Sequence, residues 1–215
     1  MKIAYHAENT VTLEETASRA ISDDDRLQWK VEGTTLQVQY NKPGIRLNTP
    51  AKHLVITLPE GTVLKSAVIG ATSAEIDIPS ITADRVSLDS TSGDITASVT
   101  APDITAGSTS GEVKLIVRGK VRTLTLNSTS GDLSADLDEA EKVAAKSTSG
   151  RISITADRAG DLSAGSTSGN ILISLKRFDN VAVSSTLPPL ASVTFCEEAL
   201  SSSIGSSSSN STFSP

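Results

Sequence analysis

Hydroxyl groups recur at nearly constant spacing through the middle of this 215-residue chain. Ser90-Thr91-Ser92-Gly93 returns as Ser108–Gly111, Ser128–Gly131, Ser147–Gly150 and Ser166–Gly169. Serines beside a glycine could form a nucleophile turn, a phosphate cradle, a ligand ladder or a structural corner. A serine nucleophile needs an adjacent base and an oriented turn. In "GSTSG" at 107–111 and 165–169 the central residue is Thr109 or Thr167, where the nucleophile elbow needs serine. The two histidines, His6 and His53, both lie outside the array. The phosphate-loop pattern also fails, because no lysine directly follows the second glycine.

The position after each glycine, with its forerunner, reads Glu75, Asp94, Glu112, Asp132, Arg151, Asn170. Stacked carboxylates could recruit calcium, which takes oxygen ligands. Calcium-binding solenoids use a dense Gly/Asp nonapeptide instead, and that pattern is absent here. A solvated corner, with Arg151 relieving like-charge repulsion, is the simpler reading, so no metal and no cofactor are expected. Polysaccharide-cleaving solenoids carry clustered acids with basic residues on one face. The outward positions here are mostly Thr, Ser and Ala with isolated charges, and aromatic platforms for sugar stacking are missing. The chain is therefore expected not to be an enzyme. One column remains as a candidate partner-binding face: Thr91, Thr109, Thr129, Thr148 and Thr167, with Thr72 before them. An ice-binding face would present two threonine ranks on a flat strand, whereas this is a single rank at a bend.

The elements that must position these residues follow from period and phase. The glycines advance in steps of 18, 20, 19 and 19 residues, and stepping back 19 from Gly93 reaches Ala74 in the decayed copy "ATSAEI". A fixed period near 20 residues is the mark of a solenoid, and propeller blades need about twice that length. After each glycine, alternate residues are apolar: Ile95 and Ala97, Val113 and Leu115, Leu133 and Ala135, Ile152 and Ile154, Ile171 and Ile173. Before each copy the same holds, as in Val86 and Leu88 or Leu124 and Leu126. Period-two alternation marks strands with one buried face. Each repeat thus offers two short strands joined by a Thr-Ser-Gly corner, predicting an all-β, right-handed parallel β-solenoid with coils of about 19 residues. In this phase Ser90, Ser108, Ser128, Ser147 and Ser166 point inward and stack, their hydroxyls able to donate and accept along the column. Gly93 and its equivalents relieve the backbone at the bend.

The ends differ from the array. "LQWKVEGTTLQVQY" alternates around Glu32-Gly33 and reads as a hairpin, and residues 1–50 are expected to form an N-terminal β cap over the open end of the solenoid. The solenoid is assigned to 51–196, with "ASVTF" as a closing strand, and the serine-rich 197–215 to a flexible tail. No aromatic residue occurs between Asn41 and Arg177, so the interior must be thin and filled by Val, Ile, Leu and Ala. A formal charge of −6 speaks against nucleic acid. Cys196 stands alone, so no internal disulfide forms. The amino terminus shows no signal-peptide pattern, and no stretch approaches the roughly 20 apolar residues of a membrane span.

"HLVITLPEGTVLKSAVIGATSAEIDI", followed by "VSLDSTSGDITA" and its copies, resembles a bacterial adhesin-like family of unknown function that includes accessory proteins of the cell-envelope stress response. The resemblance spans roughly Leu36 to Val183, and "LPEG" at 58–61 with the iterated "TSGDI" carries it. It implies a β-solenoid tethered at the bacterial surface, extracellular or envelope-associated, that meets a macromolecular partner of the envelope or a host surface. It supplies no catalytic motif. The rival expectation is a structural spacer or self-assembling module.

Overall fold

The structure is a computed structural model that describes residues 1–39, 50–186, 191–195, 204–207 and 211–212. The chain divides into two compact units, Met1–Glu60 and Gly61–Pro215.

In the first unit β5 (Lys52–Pro59) is the central strand. It pairs in parallel with β1 (Lys2–His6) and antiparallel with β2 (Thr12–Ala17), so that Ile56 lies beside both Ile3 and Leu13. Ile3 and Leu58 are among its buried apolar residues. A separate two-stranded ribbon is made by β3 (Gln28–Glu32) and β4 (Thr35–Gln39), antiparallel, with Glu32 opposite Thr35. Gly33 turns this ribbon at a φ of +61°, a left-handed conformation that side chains resist.

The second unit is a parallel β-solenoid. Its first coil holds β6 (Val63–Leu64) and β7 (Ala67–Ala71), the next β8 (Ile76–Ala83) and β9 (Arg85–Ser90), and the third β10 (Ile95–Thr100) and β11 (Asp103–Ser108). From there each coil runs as one bent strand: β12 (Val113–Ser128), β13 (Leu133–Ser147), β14 (Ile152–Ser166) and β15 (Ile171–Ser185). The two arms foreseen for each repeat are present, but in these later coils the ladder continues around the second bend. Pro102 interrupts β10 and β11, since it has no N–H for the ladder, and its carbonyl accepts from Arg122 and Thr123 N–H. The expected closing strand is β16 (Ala191–Phe195), parallel to β15. Within the serine-rich tail, β17 (Ile204–Ser207) pairs with β15 and β18 (Ser211–Thr212) with β16. The expected flexibility of that tail otherwise falls outside the described residues.

The register stacks like on like. Ile95, Val113, Leu133, Ile152 and Ile171 form one column, and Val86, Ile104, Leu124, Val143, Leu162 and Val181 another on the facing arm. All of them are buried. Column residues also compensate in size within a coil: Leu115 and Leu126 fill one layer, whereas Ala135 and Ala145 line the next beside Leu133, Leu137 and Val143. The core is therefore aliphatic and thin, with Phe178 the one aromatic side chain buried in it among the described residues.

Candidate functional site

The repeated serines occupy one column, Ser90, Ser108, Ser128, Ser147, Ser166 and Ser185 in register, preceded by Ala71. Ser90, Ser108, Ser147 and Ser166 are buried, and Ser128 is half-buried, as their phase with the apolar residues requires. Their hydroxyls do not chain along the column, however. Gly111, Gly150 and Gly169 donate their N–H to the Oγ of Ser108, Ser147 and Ser166 at 2.8, 2.8 and 2.7 Å. Ser128 Oγ instead donates to the Gly131 carbonyl at 2.6 Å. Each of these hydroxyls thus satisfies a backbone group of its own corner three residues on, a local bond that stabilises the bend. Ser90 Oγ is buried without a partner.

The corner glycines are required for a reason that sequence reasoning misplaced. None has a positive φ. A Cβ on Gly93, Gly111, Gly131, Gly150 or Gly169 would instead lie 1.9–2.2 Å from the carbonyl oxygen of the equivalent residue one coil earlier. Stacking of the corners, rather than sharpness of the turn, excludes a side chain. Ala74, the forerunner of this column, has no Thr-Ser-Gly corner before it in the chain.

Thr91, Thr109, Thr129, Thr148 and Thr167 are all exposed, as are the serines that follow them. Their backbone is fixed between coils: Ser110, Ser130, Ser149 and Ser168 donate to the carbonyls of Thr91, Thr109, Thr129 and Thr148 at 2.8–2.9 Å. The structure therefore brings the threonines into one regular rank, about 4.8 Å per coil. The neighbouring acidic column is also exposed, but Asp94 and Asp132 are engaged. Asp94 Oδ1 accepts from Glu112 N–H and Asp132 Oδ1 from Arg151 N–H, each at 2.8 Å. Among the described residues no group of three or more His, Cys, Asp or Glu could hold a metal ion, and no helix is long and apolar enough to cross a membrane.

The opposite bend of the coils carries charge that the sequence reading passed over. Arg118 reaches Asp136 at 3.2 Å and Asp138 at 3.0 Å, Lys120 reaches Glu141 at 3.3 Å, and Lys176 reaches Asp157 at 2.6 Å. Arg158 lies between Glu139 and Asp179 of its two neighbouring coils, and Arg122 pairs with Asp103. The hydrogen bond from Arg118 to Asp136 holds that guanidinium still more firmly protonated, and the bond from Lys176 pulls the Asp157 carboxyl below its usual range. A depression of about 330 Å³ sits here, lined by Lys120, Glu139, Glu141, Arg158, Asp161 and Asp179. Its cations already face acids of adjacent coils, so the charges tie coils together.

A second depression, about 320 Å³, belongs to the first unit, lined by Leu13, Leu27, Trp29, Val38 and Leu54 with Glu15 and Arg26. Glu15 accepts from Leu27 N–H at 3.1 and 3.2 Å and pairs at 2.9 Å with Lys52, whose side chain is buried. Lys52 Nζ also donates to the Asp25 carbonyl. Trp29, the only tryptophan, is 63% exposed. The alternation of the hairpin places Trp29 and Val31 on one face, but how far that face is covered depends on which strands accompany the ribbon.

No curated protein and no solved structure matches the chain. The Toastrack DUF4097 pattern, that of a family of unknown function, matches residues 1–205 and so takes in both units. With its stacked parallel coils and that match over nearly its whole length, the chain belongs to the Toastrack DUF4097 family.

Proposed function

We propose that this protein is a non-catalytic bacterial envelope protein that presents its threonine-lined corner to a macromolecular partner. The observation that supports this most directly is the rank of exposed threonines held by coil-to-coil backbone bonds, a surface already ordered before anything docks. The repeated serines favour the same reading, since Ser108, Ser128, Ser147 and Ser166 spend their hydroxyls on the corner backbone. The adhesin-like resemblance suggests the bacterial surface as the place. The test is a binding titration with fractionated envelope extracts and immobilised protein. Saturable binding that weakens in Thr129→Lys and Thr148→Lys supports recognition through this face. Binding that is unchanged in both variants, or turnover of a polysaccharide by the purified protein, refutes it.

A further inference from the structure

Among the described residues neither outer edge of the β3–β4 ribbon pairs with another strand, that of β3 included. The ribbon's two-residue loop closes on the Glu32·Thr35 pair, so Lys30 and Gln37 also exchange hydrogen bonds within the ribbon. The N–H and C=O of Trp29 and Val31 must then point away from β4. Leu27, which has the same parity, confirms the direction by sending its N–H to the Glu15 carboxylate. Beyond Leu27, among the described residues, no strand pairs with this edge. Trp29 and Val31 stand on one face and are 63% and 59% exposed. Lys30 and Glu32 stand on the other face and pair with each other at 2.7 Å.

Open edges invite another strand, and natural edges are commonly defended by proline or an unpaired lysine. Here there is no proline from Gln28 to Glu32, and the charge of Lys30 is neutralised by Glu32. We propose that the β3 edge pairs antiparallel with the same edge of a second copy about a twofold axis, making a four-stranded sheet. Charge selects the register. With Val31 opposite Val31 of the second copy, Lys30 faces the second copy's Glu32, and Glu32 its Lys30. The pairing two residues away sets Lys30 against Lys30. In the favoured register the outward N–H and C=O of Val31 form the central hydrogen-bonded pair. Trp29 then lies beside Gly33 of the second copy, which has no side chain to obstruct the indole. Tryptophan is also the residue type that most often anchors an interface. This pairing uses no residue of the threonine rank and goes beyond the reading given above.

The test is sedimentation equilibrium on the full chain, read with Trp29 emission. The native protein should dimerise at concentrations around a micromolar Kd, with a blue shift of the indole on association. Lys30→Glu and Glu32→Lys each place two like-charge pairs across the axis and should weaken self-association by roughly a hundredfold. Mixing these two variants restores both opposite-charge contacts, so the equimolar mixture should dimerise while each alone stays monomeric. Thr129→Lys should dimerise as the native protein does, which separates this inference from the function proposed above. A native chain that is monomeric at roughly a hundred times that Kd overturns the proposal. So does a mixture that fails to associate, or capture of an extended foreign peptide at this edge without self-association.

Discussion

Gly150→Ala tests the corner at its tightest constraint. The new methyl would lie 2.0 Å from the Gly131 carbonyl oxygen and 2.6 Å from its carbon, both backbone atoms, and 3.1 Å from Ser147 Oγ. No rotamer relieves such contacts, so the corner must retreat from the coil before it by more than an ångström. That retreat stretches the 2.9 Å bond from Ser149 N–H to the Thr129 carbonyl and disturbs the 2.8 Å bond from Gly150 N–H to Ser147. Overpacking typically costs about 1–3 kcal/mol, and a weakened backbone bond adds about 1 kcal/mol. The expected loss is therefore about 2–4 kcal/mol, or roughly 5–15 °C in Tm for a chain of this size. Calorimetry beside Gly107→Ala supplies the control, because a Cβ at Gly107 meets its nearest atom, the Asn127 carbonyl oxygen, at 3.3 Å. If Gly150→Ala melts within about 1 °C of the native protein, or no lower than Gly107→Ala, close stacking of corners is not what selects glycine.

Three further outcomes follow from the same geometry. Ser147→Ala strands the buried Gly150 N–H and should cost about 1–3 kcal/mol by urea unfolding, whereas Ser90→Ala removes a hydroxyl without a partner and should be neutral or stabilising. Ser128→Leu should destabilise by about 1–3 kcal/mol and far more than Thr129→Val, since the first residue is half-buried and the second exposed; equal thermal shifts would contradict the inward phase. Because the Lys176 bond depresses the Asp157 carboxyl in the fold, its contribution is present above the unfolded value of roughly 3.9 and fades as pH falls through the lower folded value. Asp157→Asn should therefore lose less stability than the native protein between neutral pH and about pH 3, and identical acid melts for the two would exclude this contribution.

The solenoid was legible because its strands obey one simple rule, alternation in a phase that repeats around every corner. Ile95, Val113 and Leu133 could be placed in one column from spacing alone, and the inward direction of Ser108 and Ser147 followed from their parity with those residues. What the serines bond to was not legible, because it depends on the Gly111 and Gly150 N–H turning inward at the bend. The glycine rule differs from the sharp-turn expectation for a related reason. A sequence shows that no side chain is tolerated, but only the stacked carbonyl of the preceding coil shows which atom forbids it. The charges of the second bend look isolated along the sequence because Arg118 and Asp136, or Arg158 and Asp179, become neighbours only when coils stack. The exposure of Trp29 depends on which strands accompany the hairpin, and local alternation is silent on that.

The corner glycine also has a consequence for how such a chain can change over generations. Its carbonyl meets the coil after it, and its missing side chain chiefly concerns the coil before it. In-frame duplication of one repeat between Gly131 and Gly150 would reproduce both halves of that fit. The aliphatic columns would continue through the inserted coil, with Leu133 beside its own duplicate and Ile152 next in turn. Length along the stack is thus a heritable variable that can be altered by about 4.8 Å at a time, at the cost of setting Glu139 beside a second Glu139 where Lys120 and Arg158 now flank it. A point mutation of any corner glycine, by contrast, has no small version.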